Sequence, residues 1–389
     1  MSKGANHNYS AGRHPERSEA ESKDPAALSN SYITGFLDCA RNDVEENNPV
    51  RHIYVHIPFC ARICPYCAFY KDLLDRSQTS RFCEALLREL ELNESRRRTG
   101  DRRSLLRPST IYFGGGTPTA LNIAQLELLL RGFHERLELS QLVEWTIEAN
   151  PGSVSARKAA LLKKFGVNRI SLGVQSWDDE LLKVLGREHN AQQAEESFRI
   201  LRDADFTNVN VDLMFGLPGQ TVDQWRASLE TTIALQPEHI SAYCLTYEED
   251  TEFFLRHARG EFRQDPDADA EFFEITMAML EEAGYEHYEI SNYARPGFRS
   301  VHNRAYIDRV LSGESTLTTS EHLTHEMKRT ERIALGLRTR DGISASELKD
   351  FAQETDELIG LQLLRKSNGN FLLTRRGKSL ADSITEAFL

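Results

Sequence analysis

The sequence predicts an α/β fold, a parallel sheet left open or curled into a barrel, followed by a small C-terminal α+β domain of winged-helix-like character. Two observations predict the first part and one the second. From residue 51 to roughly residue 250, short β-branched runs alternate with longer stretches of helical apolar period, the pattern of repeated βα units. Each run ends in glycine, proline or polar residues, at the strand end where barrels of this construction place their sites. Near the C-terminus, "LQLLRKSNGNFLLTRRG" sets two strand-like runs around Asn368-Gly369, a strong two-residue hairpin signal.

Taken in order, residues 1–50 are rich in Ser, Glu, Asn and Arg without a sustained apolar period, so they cannot bury enough surface to offset ordering entropy and read as a disordered leader. Six strand runs follow: "HIYVHIPF", "TIYFGGG", "WTIEANP", "RISLGVQS", "NVNVDLMFGLP" and "HISAYCLTY". The segments between them, such as "SRFCEALLRELELN", "NIAQLELLLRGFHERL" and "TVDQWRASLETTIAL", carry apolar residues at helical spacing. A further helix is expected over 267–283. These divisions give a leader (1–50), a barrel (51–300), a junction (301–324) and a C-terminal domain (325–389).

The chain has 59 acidic and 47 basic side chains, a formal net charge of -12, which argues against a broad phosphate-binding surface. Nucleic acid is not an expected partner, and the C-terminal domain reads as a packing module. No run approaches the ~18 apolar residues of a membrane span, and no apolar signal core opens the chain. Of the six cysteines only Cys60, Cys64 and Cys67 are clustered, unlike a secreted disulfide framework. A soluble, cytoplasmic protein is the expectation. Cys83 and Cys244, on a helix and a strand, read as small buried hydrophobes, and Cys39 in the leader shows no partner.

The cluster lies in "HIPFCARICPYCAF", a C-x3-C-x2-C spacing on one loop after a strand. Three thiolates can hold three irons of a cubane and leave the fourth iron for an exogenous ligand, whereas electron-transfer clusters usually have four cysteines. Structural zinc completed by His52 or His56 is the competing reading. "GGGTPT" after the second run suits close approach of a ligand to the backbone, with its amides exposed, or simply a tight turn. Glu148 and Asp212 end the third and fifth runs, Gln175 ends the fourth, and Arg187 follows it. These polar groups suit hydrogen bonds to hydroxyl, amino or carboxylate functions.

"YVHIPFCARICPYC" and the motifs after it resemble the radical S-adenosylmethionine (SAM) proteins, and in particular the branch holding oxygen-independent coproporphyrinogen III oxidase and the heme chaperone HemW. The likeness runs from about Arg51 to Tyr306 and resumes in the C-terminal region. It implies a partial (β/α)6-type barrel, a 4Fe-4S cluster on Cys60, Cys64 and Cys67, and chelation of the fourth iron by the amino and carboxylate groups of SAM. It also assigns Tyr54, Tyr66, Gly115, Gly116, Thr117, Glu148, Gln175, Arg187 and Asp212 to SAM binding, and a backbone contact to Leu245. Phe69 stands where the oxidase branch has a further cysteine, which favours the chaperone-like branch. That branch has an H-N-x-x-Y-W motif connected with heme. Here it reads "HNRAYI" from His302, without the tryptophan and without the glycine-rich block that follows in relatives. The resemblance thus implies a heme carrier that uses His302, an electron donor for the cluster, and a heme-acceptor protein, including membrane-bound acceptors. The alternatives are the oxidase, which decarboxylates porphyrinogen propionates, or a paralogue impaired by the shortened junction.

Overall fold

In a computed structural model, residues 51–96, 106–311 and 325–388 are described. The expected leader lies outside them, as does most of the expected junction. The described residues open with β1 (His52–Ile57), which Pro58 separates from β2 (Phe59–Cys60), and β3 (Asp72–Leu73) pairs with β2 in parallel. There follow α1 (Arg76–Arg96), β4 (Thr110–Gly115), α2 (Ile123–Arg136), β5 (Glu144–Ala149), α3 (Ala156–Lys164), β6 (Arg169–Gln175), α4 (Asp179–Val184) and α5 (Ala191–Asp203). Next come β7 (Val209–Phe215), α6 (Val222–Leu235), β8 (His239–Cys244), α7 (Glu252–Ala258), α8 (Pro266–Glu282), β9 (Glu286–Glu289), β10 (Asn292–Ala294) and α9 (Val301–Leu311).

The main sheet has the order β1-β4-β5-β6-β7-β8-β10-β9. Its first six strands are parallel and are the six expected runs; β10 and β9 extend it antiparallel. Those two short strands escaped the sequence reading because neither is long enough to show a period. Helices start where the sequence supplies caps: Asn122, Asn190 and Thr221 each close a capping box with the glutamine three residues on.

Alternation along the strands sorts side chains between two environments. In β1, Ile53, Val55 and Ile57 are buried while His52, Tyr54 and His56 face the other way. The second face forms a polar lumen. Within it Asn210 donates to Ser171 and Asp212, both at 2.7 Å, and its amide oxygen accepts from His239 Nδ1 at 2.6 Å. Arg169, 2% accessible, is the buried cation of this lumen. Trp145 and Trp225 anchor the apolar side, the latter donating to the Phe272 carbonyl and Thr276 hydroxyl.

The C-terminal part comprises α10 (His325–Arg338), β11 (Ile343–Ser344), α11 (Ala352–Gly360), β12 (Leu364–Ser367), β13 (Asn370–Leu373), α12 (Arg375–Lys378) and α13 (Ala381–Glu386). Its sheet runs β11-β13-β12. Asn368 and Gly369 turn the hairpin with φ of 49° and 83°, and Ser367 pairs with Asn370, the backbone that the Asn-Gly pair specifies. This part covers the β9 edge of the main sheet through an antiparallel bridge of Glu289 with Thr339 and the Lys378–His287 contact at 2.9 Å. Among the described residues no helix is long and apolar enough to cross a membrane.

Candidate active site at the cysteine loop

Pro58 ends β1, and the chain passes through β2 into the loop that carries Cys60, Cys64 and Cys67, all half-buried and unpaired. The loop is tied down at several points. The Cys67 amide donates to the Cys64 carbonyl at 3.2 Å, and Lys71 donates to the Cys67 carbonyl and, at 3.1 Å, to that of Phe69. The Phe253 amide donates to the Pro65 carbonyl at 3.1 Å, and Tyr66 packs on an apolar cluster of Leu181, Leu185, Met214, Leu217, Leu245 and Phe253. Burial pushes the Cys60 and Cys67 thiols up, which a bound metal would reverse.

Two polar groups reach the thiols. Thr117 Oγ1 donates to Cys60 Sγ at 3.6 Å, and Arg187 Nη1 approaches Cys64 Sγ at 3.7 Å and Tyr66 Oη at 3.5 Å. Burial opposes the Arg187 charge, but Tyr66 and Cys64 together keep its pKa raised.

The two histidines that could complete a zinc site have other partners. His56, a candidate fourth zinc ligand, gives Nε2 to the Tyr70 carbonyl at 2.9 Å and takes the Tyr54 hydroxyl on Nδ1 at 3.3 Å. His52 bonds Thr110 at 2.9 Å, five residues before the end of β4. Among the described residues no three His, Cys, Asp or Glu side chains converge on one ion. Three soft thiols on one loop suit an iron-sulfur cluster.

The glycine segment turns tightly against the chain itself. Its amides are not free for a ligand: Gly115 N–H goes to Glu148 at 3.1 Å, Gly116 N–H to the Ile57 carbonyl at 2.8 Å, and Thr117 N–H to the Phe59 carbonyl at 2.9 Å. The glycines are required by packing instead. A Cβ on Gly116 would lie 2.6 Å from the Pro58 carbonyl group, and Gly115 has a φ of 108°.

Glu148 also accepts from Tyr112 at 2.8 Å, and Tyr112 stacks on Tyr54 at 5.9 Å, so three expected site residues, Tyr54, Gly115 and Glu148, share one network. Burial raises the Glu148 carboxyl to about 7. Asp212 belongs to the neighbouring network, accepting from Ser171 at 2.9 Å and from Asn210, and burial raises it too. Gln175 sits at the register shift that ends β6, with a φ of 69°, a strained backbone of the kind that clusters at functional sites. Leu245 is buried and donates its amide to the Phe215 carbonyl.

Two expectations meet a different setting. Cys83 is buried as expected, but Cys244 is exposed, since it ends β8 where alternation stops, beside Gly216, which has no side chain to cover it. His302 lies on α9, away from the cysteines. Thr110 Oγ1 holds its ring at 2.8 Å, and both Glu144 oxygens accept from the α9 amides at Val301 and His302. It is 8% accessible, and burial lowers its pKa to about 3. The ring that the motif connects with heme is thus enclosed by protein. Sequence reasoning also passed over Tyr112 and Asn150, the latter because Asn-Pro-Gly reads as a turn.

Residues 54–232 match the Radical SAM superfamily, and residues 323–380 match the HemN C-terminal domain. The chain is 34% identical to the heme chaperone HemW of Lactococcus lactis subsp. lactis (strain IL1403), covering 86% of this chain and 96% of that one. It is 33% identical to the heme chaperone HemW of Bacillus subtilis (strain 168), covering 87% and 99%. In structure it is similar to the coproporphyrinogen III oxidase HemN from Escherichia coli, with a TM-score of 0.70 at 20% identity, covering 94% of this chain and 93% of that one. That last likeness shows the fold. With relatives above 30% identity matched over almost their whole length, this chain belongs to the HemW family of radical SAM proteins.

Proposed function

We propose that the chain is a heme chaperone of the HemW type, which binds a 4Fe-4S cluster, SAM and heme and passes the heme to an acceptor protein. The observation that carries this reading is the similarity to HemW proteins along nearly their full length, joined to a loop that presents three thiols. Cys60, Cys64 and Cys67 would hold the cluster and leave one iron for SAM. Tyr54, Tyr66, Gly115, Gly116, Thr117, Glu148, Gln175, Arg187 and Asp212 would frame SAM around it. When bound, the pair supplies one-electron chemistry; the protein supplies position and exclusion of water. Phe69, where the oxidase branch carries a cysteine, is 72% exposed and leaves the loop without a further thiol.

Heme ligation by His302 would fall to Nε2, because Thr110 holds Nδ1, and would need the enclosed ring to be uncovered. Anaerobically reconstituted protein titrated with heme is expected to take up about one equivalent, read by absorbance, without converting coproporphyrinogen to protoporphyrinogen. Conversion that consumes SAM would favour the oxidase reading, and neither activity would favour an impaired paralogue. His302→Ala tests the ligand: unchanged heme uptake would move the site elsewhere.

A further inference from the structure

Arg187 stands between the cysteine loop and the ends of two strands, and it is held from behind. Nη2 donates to Asn150 Oδ1 and, at 2.8 Å, to the Gly173 carbonyl. That leaves Nη1 facing Cys64 Sγ at 3.7 Å and Tyr66 Oη at 3.5 Å, with Nε buried and lacking a protein partner. A Cβ at Gly173 would crowd the Gln175 side-chain amide at 2.9 Å while touching Arg187 Nη2 only at an ordinary 3.6 Å.

Asn150 is fixed in its turn. Its N–H donates to Thr119 Oγ1 at 3.3 Å, and its carbonyl accepts from the Ser153 N–H at 3.0 Å and hydroxyl at 2.6 Å. The Thr119 and Ser153 hydroxyls lie 2.6 Å apart. The turn after β5 is closed by backbone and hydroxyls, and the Asn150 side-chain carbonyl is spent on Arg187 instead. A chain of contacts therefore runs from Thr119, in the glycine segment, through Asn150 and Arg187 to a cysteine of the loop.

We infer that Asn150 is a positioning residue whose side-chain carbonyl holds the Arg187 guanidinium against Cys64 Sγ, and that this contact makes the cluster easier to reduce. The inference rests on the cluster assignment proposed above. A fixed cation and an N–H donor at a thiolate favour the state that carries the extra electron, because hydrogen bonds to sulfur and local charge set the potential of such clusters. Without Asn150, the long side chain keeps only the Gly173 carbonyl behind it and is free to swing from the sulfur.

The test uses full-length protein, reconstituted anaerobically without SAM, as wild type, Asn150→Ala, Asn150→Ser, Arg187→Ala and the Asn150→Ala/Arg187→Ala double variant. Iron and sulfide are counted, and the midpoint is read by a redox titration followed by electron paramagnetic resonance. Asn150→Ala and Asn150→Ser are expected to keep the wild-type iron content and shift to more negative potential. The reduced-to-oxidised ratio at the wild-type midpoint should fall about tenfold, or ~59 mV for a one-electron couple. In the Arg187→Ala background the Asn150 substitution is expected to add nothing. An unmoved midpoint with an intact cluster, or an equal shift in that background, overturns the inference. Loss of the cluster from both Asn150 variants in a folded barrel also overturns it, since Asn150 would then be a structural support. A wild-type chain without a four-iron cluster is a separate result, which removes the functional reading first and the clamp with it.

Discussion

Glu148 has two internal donors and still titrates near neutrality, because burial outweighs both hydrogen bonds. A carboxyl raised from 4.5 to about 7 binds its proton more tightly in the folded state. Its stabilising contribution is full below the unfolded pKa and is lost as pH rises through about 7. Relative to Glu148→Gln, the ligand-free wild type is expected to lose about 3 kcal/mol between those limits, read from urea midpoints against pH. A parallel pH dependence in the two proteins would contradict the assignment. At the loop, Cys64→Ala is expected to abolish the cubane signal and leave far-ultraviolet circular dichroism unchanged. The cysteine spacing announces these three residues directly. The use made of Asn150 does not show in the sequence, because whether an asparagine carbonyl serves its own turn or a distant arginine depends on which strands are neighbours.

The six parallel strands were legible as elements because each is a β-branched run long enough to display its character, flanked by capped helices. β9 and β10 were not, being three or four residues whose pairing is decided by the edge they join. The two glycine turns show how differently one residue type can act. At Gly369, where a Cβ would meet open space but φ is 83°, Gly369→Ala is expected to cost about 1 kcal/mol of backbone strain, visible as a lower urea midpoint. At Gly116 the added methyl strikes the Pro58 backbone. Gly116→Ala is expected to cost about 1–3 kcal/mol and to lower iron incorporation, as it pushes the cysteine loop off the strand end that seats it. Full iron loading in Gly116→Ala would contradict that role. In "GGGTPT" the close approach that requires Gly116 is to the Pro58 backbone.

Across the whole molecule, the polar lumen, the cysteine loop and the C-terminal part form one arrangement. β9 carries the barrel's last edge, and the C-terminal part covers it, with the Arg338 carbonyl accepting from the Ile290 amide at 3.0 Å. The loop sits at the opposite end of the β1–β4 strands from the His52–Thr110–His302 contacts, so the expected cluster and the expected heme ligand occupy different ends. That separation could not be read from the sequence, where both are motif residues with no distance between them. The proposed chemistry depends most on a cluster left one thiolate short. The direct measurement is anaerobic reconstitution followed by electron paramagnetic resonance of the reduced protein with and without SAM. About four iron and four sulfide per chain, with a signal that changes when SAM is added, is the expected result. A single zinc without sulfide, or a cubane signal indifferent to SAM, would contradict it.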